Sequence, residues 1–431
     1  MRILLIGNGG REHALAWKIA DSPLVKALFV APGNAGTALL GDNVNLDVTR
    51  FDRVIKFVRN NKIDYVVIGP EDPLAAGLVD ALQREGIRCF GPHRDAARLE
   101  ADKWFAKELM RHQAIPTAEG RVFTDAASAQ QYIHAHPDAL VVKAAGLAKG
   151  KGVSVCHDSA EALAAIDALM VRRIYGEAGQ RVVIEEILSG PECSIIALVD
   201  RKSIYVLESC QDHKPIGDGD TGPMTGGMGA YSPTPIVTDA IMRQIEQSIL
   251  VPLLDGLVRQ EIEYKGVLYA GLMLTAAGPK VLEFNCRFGD PETQPLMMRL
   301  KSDLLEALLA VTDGTLDRLE LKWDKRPALC VVAASRGYPA SSQSGVPIEG
   351  LDQADSIPDV KVFHSGTKLE TVDGRKRVVT DGGRVLGVTA LGETLADAQH
   401  RAYRAMGLIH FDGMQFRRDI GACALGGAGH S

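Results

Sequence analysis

The stretch Leu282-Glu283-Phe284-Asn285-Cys286-Arg287-Phe288-Gly289-Asp290-Pro291-Glu292 begins as a strand and ends as a polar loop. Side chains on a strand alternate faces. Glu283, Asn285 and Arg287 therefore share one face, and Leu282, Phe284 and Cys286 the other. Two hard oxygen donors stand side by side with a guanidinium next to them. Such donors suit Mg²⁺, which takes few protein ligands and completes its shell with water and phosphate oxygens. The guanidinium fits a phosphate or carboxylate. For Glu283 alone, a solvated acid at a strand end is the plainer reading.

The 431-residue chain is long enough for several domains with buried cores. Its formal charge of −6 argues against a general nucleic-acid binder. The seven cysteines include no Cys-x-x-Cys pair, so neither a zinc site nor a disulfide framework is expected. A reducing, cytoplasmic setting fits them. Met1-Arg-Ile-Leu-Leu-Ile-Gly7 reads as a first strand, being too short for a signal peptide. No apolar run is long enough to span a membrane, so neither membrane nor nucleic acid is an expected partner.

Residues 2–6, 27–31, 64–68 and 87–90 read as strands alternating with helical stretches at 11–20, 51–60 and 74–85. This alternation predicts a parallel sheet covered by helices, with ligands at the carboxyl ends of its strands. A helix near 101–113 leads into strands near 120–123, 139–144, 152–156 and 181–186, with a helix at 159–171. A hairpin at 200–202, a long glycine-rich loop, a helix near 238–260 and strands around 268–274 and 280–285 follow. Short strands and a helix near 394–407 close the fold.

Gly146-Leu-Ala-Lys-Gly-Lys-Gly152 lies between two strands, unlike a Walker loop, which joins a strand to a helix. With Lys143 on the incoming strand, it reads as a flap over phosphates; a flexible hairpin is the alternative. The strand 182–188 ends in Glu185 and Glu186, with Glu192 beyond a turn. The loop 211–231 is too patterned for a linker. Gly7-Asn8-Gly9-Gly10-Arg11-Glu12 fails the dinucleotide fingerprint at Glu12, yet it presents N–H groups at a helix start, which suits a phosphate.

The run Arg287-Phe-Gly-Asp-Pro-Glu292 resembles the signature of the glycinamide ribonucleotide synthetase (phosphoribosylamine–glycine ligase) family of ATP-grasp enzymes, and the other motifs occur in that family's order. The resemblance implies an α/β protein with a parallel N-terminal substrate-binding domain over 1–101. It further implies a catalytic ATP-grasp domain built from 102–121 and 190–327, a flap domain over 122–189, a small α+β domain over 328–421 and a disordered tail over 422–431. The implied reaction joins glycine to 5-phosphoribosylamine with ATP, through glycyl phosphate. Glu283 and Asn285 then hold Mg²⁺, with Mn²⁺ as an alternative, and Arg287 and Asp290 are catalytic. Lys103, Lys143, Gly150, Lys151 and Gly152 face the nucleotide phosphates. Glu185, Glu186 and Leu188 line the adenine pocket, and Glu192 binds ribose. Gly9, Gly10, Asp212, His213 and Lys214 contact substrate; for His213 a satisfied loop histidine is the plainer reading. A monomer is expected. The chain departs from the family's usual pattern at Ala145, Pro215 and Met224.

Rival readings remain open on the residues alone. Another ATP-grasp carboxylate–amine ligase would keep the metal strand and the flap. A nicotinamide oxidoreductase would rest on the Gly7–Gly10 turn. A non-catalytic nucleotide-binding regulator would follow from the three departures.

Overall fold

The computed structural model describes residues 1–136, 138–148, 152–372 and 374–426. The apolar run Arg2–Gly7 forms β1, followed by β2 (Ala27–Pro32), β3 (Asp42–Asn43), β4 (Tyr65–Ile68) and β5 (Cys89–Phe90). They form a parallel sheet of order β3-β2-β1-β4-β5, as the alternation predicts. Helices α1 (Gly10–Ala20), α2 (Phe51–Asn60), α3 (Glu71–Ala76), α4 (Leu78–Arg84) and α5 (Arg94–Ala101) accompany it. One helix was expected over 74–85; Gly77, at φ 91°, divides it into α3 and α4. The reversal of strand order between β1 and β4 opens a crevice at their carboxyl ends.

The turn after β1 is filled from within. Glu12, 2 % exposed, folds back so that its Oε2 accepts the Gly9 N–H at 2.7 Å. Gly7, Gly9 and Gly69 all border this side chain, and a Cβ at any of them would collide with it.

Helix α6 (Lys103–His112) starts at Asp102, whose carboxylate accepts the N–H groups of Trp104 and Phe105. Next comes an antiparallel sheet of order β6-β9-β7-β8, from β6 (Gly120–Phe123), β7 (Leu140–Ala144), β8 (Val153–Cys156) and β9 (Val182–Glu186). Lys149, Gly150 and Lys151, expected on the flap, lie outside the described residues.

The chain continues through β10 (Glu192–Asp200), β11 (Ile204–Val206), β12 (Gln211–Asp212), β13 (Pro215–Gly217), β14 (Thr221–Met224) and β15 (Gly229–Ser232). Then follow β16 (Lys265–Thr275), β17 (Gly278–Asn285), β18 (Ala328–Ala334), β19 (Val360–His364), β20 (Thr367–Val372), β21 (Arg375–Thr380) and β22 (Arg384–Leu391). The central antiparallel sheet has order β11-β10-β16-β17, and the last large sheet β12-β15-β18-β22-β19. Residues 211–212 and 229–232 thus hydrogen-bond into the sheet of the C-terminal domain, although the sequence reading places them in the central block. Strands this short carry no usable periodicity.

Ala422–Leu425, within the tail expected to be disordered, forms a 3-10 turn. Residues 427–431 lie outside the described residues. Among the described residues, no helix is long and apolar enough to cross a membrane.

Candidate active site

Strand β17 pairs with β16 in the register Gly271↔Glu283 and Tyr269↔Asn285, and slips by one residue beyond Gly271. The bulge leaves Leu282 unpaired and turns it into the cleft beside Glu283, against the alternation expected from sequence. Phe284 and Cys286 pack into the core as expected, while Glu283, Asn285 and Arg287 line one cleft of about 320 Å³.

Burial opposes ionisation of Glu283, but Lys214, then Lys103, Lys143 and Arg287, outweigh it and hold the carboxyl below the ordinary range. Glu283 makes no hydrogen bond or ion pair among the described residues. An ionised, uncommitted carboxylate beside an amide oxygen fits a hard cation that takes its remaining ligands from phosphate and water. No cluster of three or more acid, His or Cys ligands exists among the described residues, so the protein offers a partial shell rather than a cage.

Arg287 is gripped on all sides. Its Nε donates to Glu71 Oε2 at 3.3 Å and its Nη1 to the Phe288 carbonyl at 3.3 Å. Its Nη2 meets Asn285 Oδ1 at 3.2 Å and Glu100 Oε1 at 2.9 Å. Although burial disfavours its charge, Glu100 and then Glu71 hold it firmly protonated. The same cations act on Glu71: burial would raise its carboxyl, but Arg287 and Arg11 lower it to about 2.

Lys143 lines the cleft from β7, but its ammonium is bound to Glu185 at 2.6 Å and donates to the Leu282 carbonyl at 3.2 Å. Lys107 binds the other oxygen of Glu185 at 2.5 Å. Glu185, 3 % exposed, therefore uses its carboxylate to seat two lysines, and reaches the cleft wall only as part of that cluster. Glu186 pairs with Lys280 at 3.1 Å and accepts the Glu119 N–H at 3.0 Å. Leu188 lines the same cleft, as do Val141, Val155, Ile187 and Met273. Lys103 and Gly152 line the adjoining cavity, which Lys143, Glu283, Asn285 and Arg287 also border.

Glu192 pairs with Lys214 at 2.7 Å. Burial would lower the Lys214 ammonium; Glu192, then Tyr269, Asp212 and Glu283, raise it well above the ordinary lysine range. Asp212 lines the same wall, its carboxyl pushed well up by burial and by Glu292. Glu292 is fixed by the hydroxyls of Tyr269 at 2.8 Å and Ser194 at 3.0 Å.

His213 is not brought to the cleft. Its ring lies buried, with Nε2 at 3.4 Å from the Gly421 N–H, and burial followed by Arg417 lowers it to about 4. Asp212 and Lys214 line the cleft, and His213, in the two-residue gap between β12 and β13, does not.

Gly9 and Gly10 also lie off the cleft wall, beside Asp290. Two of the N–H groups at this turn have acceptors within the protein: Glu12 takes that of Gly9, and Asp290 takes that of Arg11. Asp290 itself lines the cleft, held by Gln294 Nε2 at 2.8 Å and Arg384 Nη2 at 3.3 Å. Burial opposes its charge, and Arg384 then Arg11 restore it, leaving the carboxyl below its usual range.

Sequence reasoning missed Arg11, Glu71, Lys107, Tyr269, Glu292 and Arg384. Arg11 and Glu292 lie inside motifs already singled out, and their charge was the available signal. Arg384, on a C-terminal strand far from every motif, offered none.

Family models of phosphoribosylglycinamide synthetase match the chain as an N domain over residues 1–100, an ATP-grasp (A) domain over 101–293 and a C domain over 328–423. A phosphoribosylamine–glycine ligase of Rhodopirellula baltica is 52 % identical over 430 residues, covering 98 % of each chain. That of Escherichia coli K12 is 50 % identical over 428 residues, covering 99 % of each. The crystal structure of phosphoribosylamine–glycine ligase from Thermotoga maritima superposes with a TM-score of 0.83 at 32 % identity, covering 97 % of this chain and 100 % of that one. A 2-oxoglutarate carboxylase biotin carboxylase domain from Hydrogenobacter thermophilus, solved with MgADP and bicarbonate, shares the fold at a TM-score of 0.72 and 15 % identity, over 96 % and 91 % of the two chains. With its three domain types in order along the chain, this protein belongs to the phosphoribosylglycinamide synthetase family.

Proposed function

We propose that this cleft ligates glycine to 5-phosphoribosylamine at the expense of ATP, giving glycinamide ribonucleotide, ADP and phosphate, in the synthesis of purines. The observation that carries it is the mixed lining of one cavity. Apolar side chains from β7, β8 and the turn after β9 share it with Glu283, Asn285, Arg287 and Lys214. The apolar side chains suit a nucleobase. The charged ones suit its phosphates and the group that receives one.

A carboxylate is a poor electrophile, so glycine must first be activated. One of its oxygens takes the γ-phosphoryl group and ADP departs; the amine nitrogen then attacks the carbonyl carbon, and phosphate leaves. Glu283 and Asn285 would hold Mg²⁺, with Mn²⁺ able to replace it, and this cation supplies neutralisation of the phosphate oxygens. Lys143, seated by Glu185, sets a positive charge along the phosphates. Arg287 meets the equatorial oxygens of the moving phosphoryl group. Asp290 ties the C-terminal domain to the cleft through Arg384. His213, buried and turned away, takes no part as a base.

The test is ADP release with MgATP and glycine, with and without freshly made phosphoribosylamine. Stoichiometric ADP and glycinamide ribonucleotide are expected. Turnover with a different amine and none with phosphoribosylamine would point instead to another carboxylate–amine ligase.

A further inference from the structure

Arg287 belongs to the ATP-grasp segment, yet the acids that hold its side chain do not. Glu71 starts α3 and Glu100 lies near the end of α5, both within the segment matched by the N domain. Glu100 is 7 % exposed. One of its oxygens meets Arg287 Nη2 at 2.9 Å, and the other accepts the Cys286 N–H at 2.7 Å. A single carboxylate thus fixes both the guanidinium and the backbone at the end of β17.

A guanidinium has five N–H groups. Hydrogen bonds to Glu71, Asn285 and the Phe288 carbonyl take three, and the Glu100 carboxylate faces Nη2 as an ion pair at 2.9 Å, which leaves an N–H on Nη1 directed to other partners. The bond to Asn285 uses the amide oxygen that a bound cation would take. Once that oxygen is committed, Glu100 is the contact that remains on Nη2, while Glu71 holds Nε. Glu71 is the looser of the two: it stands 3.3 Å from Arg287, also faces Arg11 at 3.8 Å, and borders the cleft, where a ligand can compete for it. Glu100 has its second oxygen locked by backbone.

We infer that Glu100 is a positioning residue for phosphoryl transfer: through its contact with Arg287 it lets the N-terminal domain set the orientation of the arginine that meets the moving phosphoryl group. This inference rests on the cleft being the ligation site. Glu100 borders the adjoining cavity and holds the Cys286 N–H as well as Arg287; a glutamine keeps an oxygen for that N–H, so what Glu100→Gln removes is the charge against Arg287. An arginine turned off the phosphoryl group forfeits stabilisation of the transition state while nucleotide binding persists.

The experiment is a double-mutant cycle of Glu100→Gln and Arg287→Ala, with kcat and KM from ADP release at pH 8 and nucleotide affinity from calorimetry with MgADP. Glu100→Gln is expected to lower kcat by about 10- to 100-fold and to leave the MgADP Kd within about twofold. In the Arg287→Ala background, the same change should cost less than about twofold. Losses that multiply in the double variant, or a Kd that rises as much as kcat falls, overturn the inference. Glu100→Asp keeps the charge and carries the test should the Gln variant not fold: a reduced kcat at unchanged Kd is expected, and a wild-type kcat overturns it. Wild-type protein that releases no ADP with glycine would count against the reaction itself. Active wild type with an unaffected Glu100→Gln would count against Glu100.

Discussion

Arg384 and Asp290 join two domains at the cleft. The guanidinium on β22 lies 3.3 Å from the Asp290 carboxylate and donates to the Asp290 carbonyl at 2.7 Å and the Gly226 carbonyl at 2.6 Å. Removing one partner of such a buried pair strands the other charge, at about 3 kcal/mol or more. Arg384→Ala should lower the apparent melting temperature and cut glycine-dependent turnover at least tenfold on the proposed reading. Arg384→Lys should rescue little, because an ammonium cannot reproduce the fork. Full activity in the folded alanine variant would separate this pair from the reaction.

Glu283→Ala should nearly abolish ADP release while circular dichroism stays unchanged. Asn285→Ala should be milder, since a neutral ligand contributes less to holding a dication. Both variants should need more Mg²⁺ for half-maximal rate. Glu283→Ala activity near wild type at ordinary Mg²⁺ would refute the metal assignment.

Glu185→Ala should fail as a fold before it fails as a catalyst. Lys107 and Lys143 would remain buried without their shared anion, a cost of about 3–5 kcal/mol. Urea unfolding should show the loss, and calorimetry should show weaker MgATP binding in whatever remains folded. If Glu185 acted only as a wall of the base pocket, nucleotide affinity would fall with stability intact.

The junction between the first and last domains should respond to acid. His13 Nδ1 accepts the His364 N–H at 2.7 Å, so the His13 ring must be unprotonated there. Burial lowers His13, and lowers His364 and His213 to about 4, from an ordinary 6.5. As pH falls below 6.5, the unfolded chain binds these protons first. The histidines therefore contribute their full stability above pH 6.5 and lose it toward pH 4. Glu100, raised by burial from 4.5 to about 7, and Asp212, also raised by burial, act in the opposite sense. The acids held low in the fold, Glu71 among them, add to the histidines' sense as pH nears 4.5. His364→Gln removes one histidine and should make urea stability fall less steeply as pH drops from 6.5 toward 4. An unchanged slope would show that His364 titrates as in the unfolded chain.

The parallel sheet was legible because its strands are apolar runs at regular spacing with glycine turns between them. The pair of oxygen donors on β17 was legible because alternation places Glu283 and Asn285 together. Leu282 broke that rule through a one-residue bulge, which leaves no mark in composition. Glu185 was read as a pocket wall because strand-end acids look alike until their partners are known, and its partner Lys107 comes from a different segment. Arg11, Glu71 and Arg384 come from both ends of the chain and meet at Asp290 and Arg287 only once three domains have packed. The phosphate expected at the Gly9–Gly10 turn was an inference from a helix start, which could not see that Glu12 and Asp290 take the Gly9 and Arg11 N–H groups. A Cβ at Gly10 would lie 2.6 Å from Gln294 Nε2, so substitutions there act on domain packing as well as on any ligand.

The folded-back Glu12 has a consequence for counting. A doubly wound sheet of this order offers a second berth for a nucleotide, at the turn after its first strand. Here that berth is stoppered by a side chain anchored to Gly9 and Arg11. On the proposed reading, the whole chain then holds a single nucleotide, and a saturation titration with ATP or with NAD should end at one equivalent for the first and none for the second.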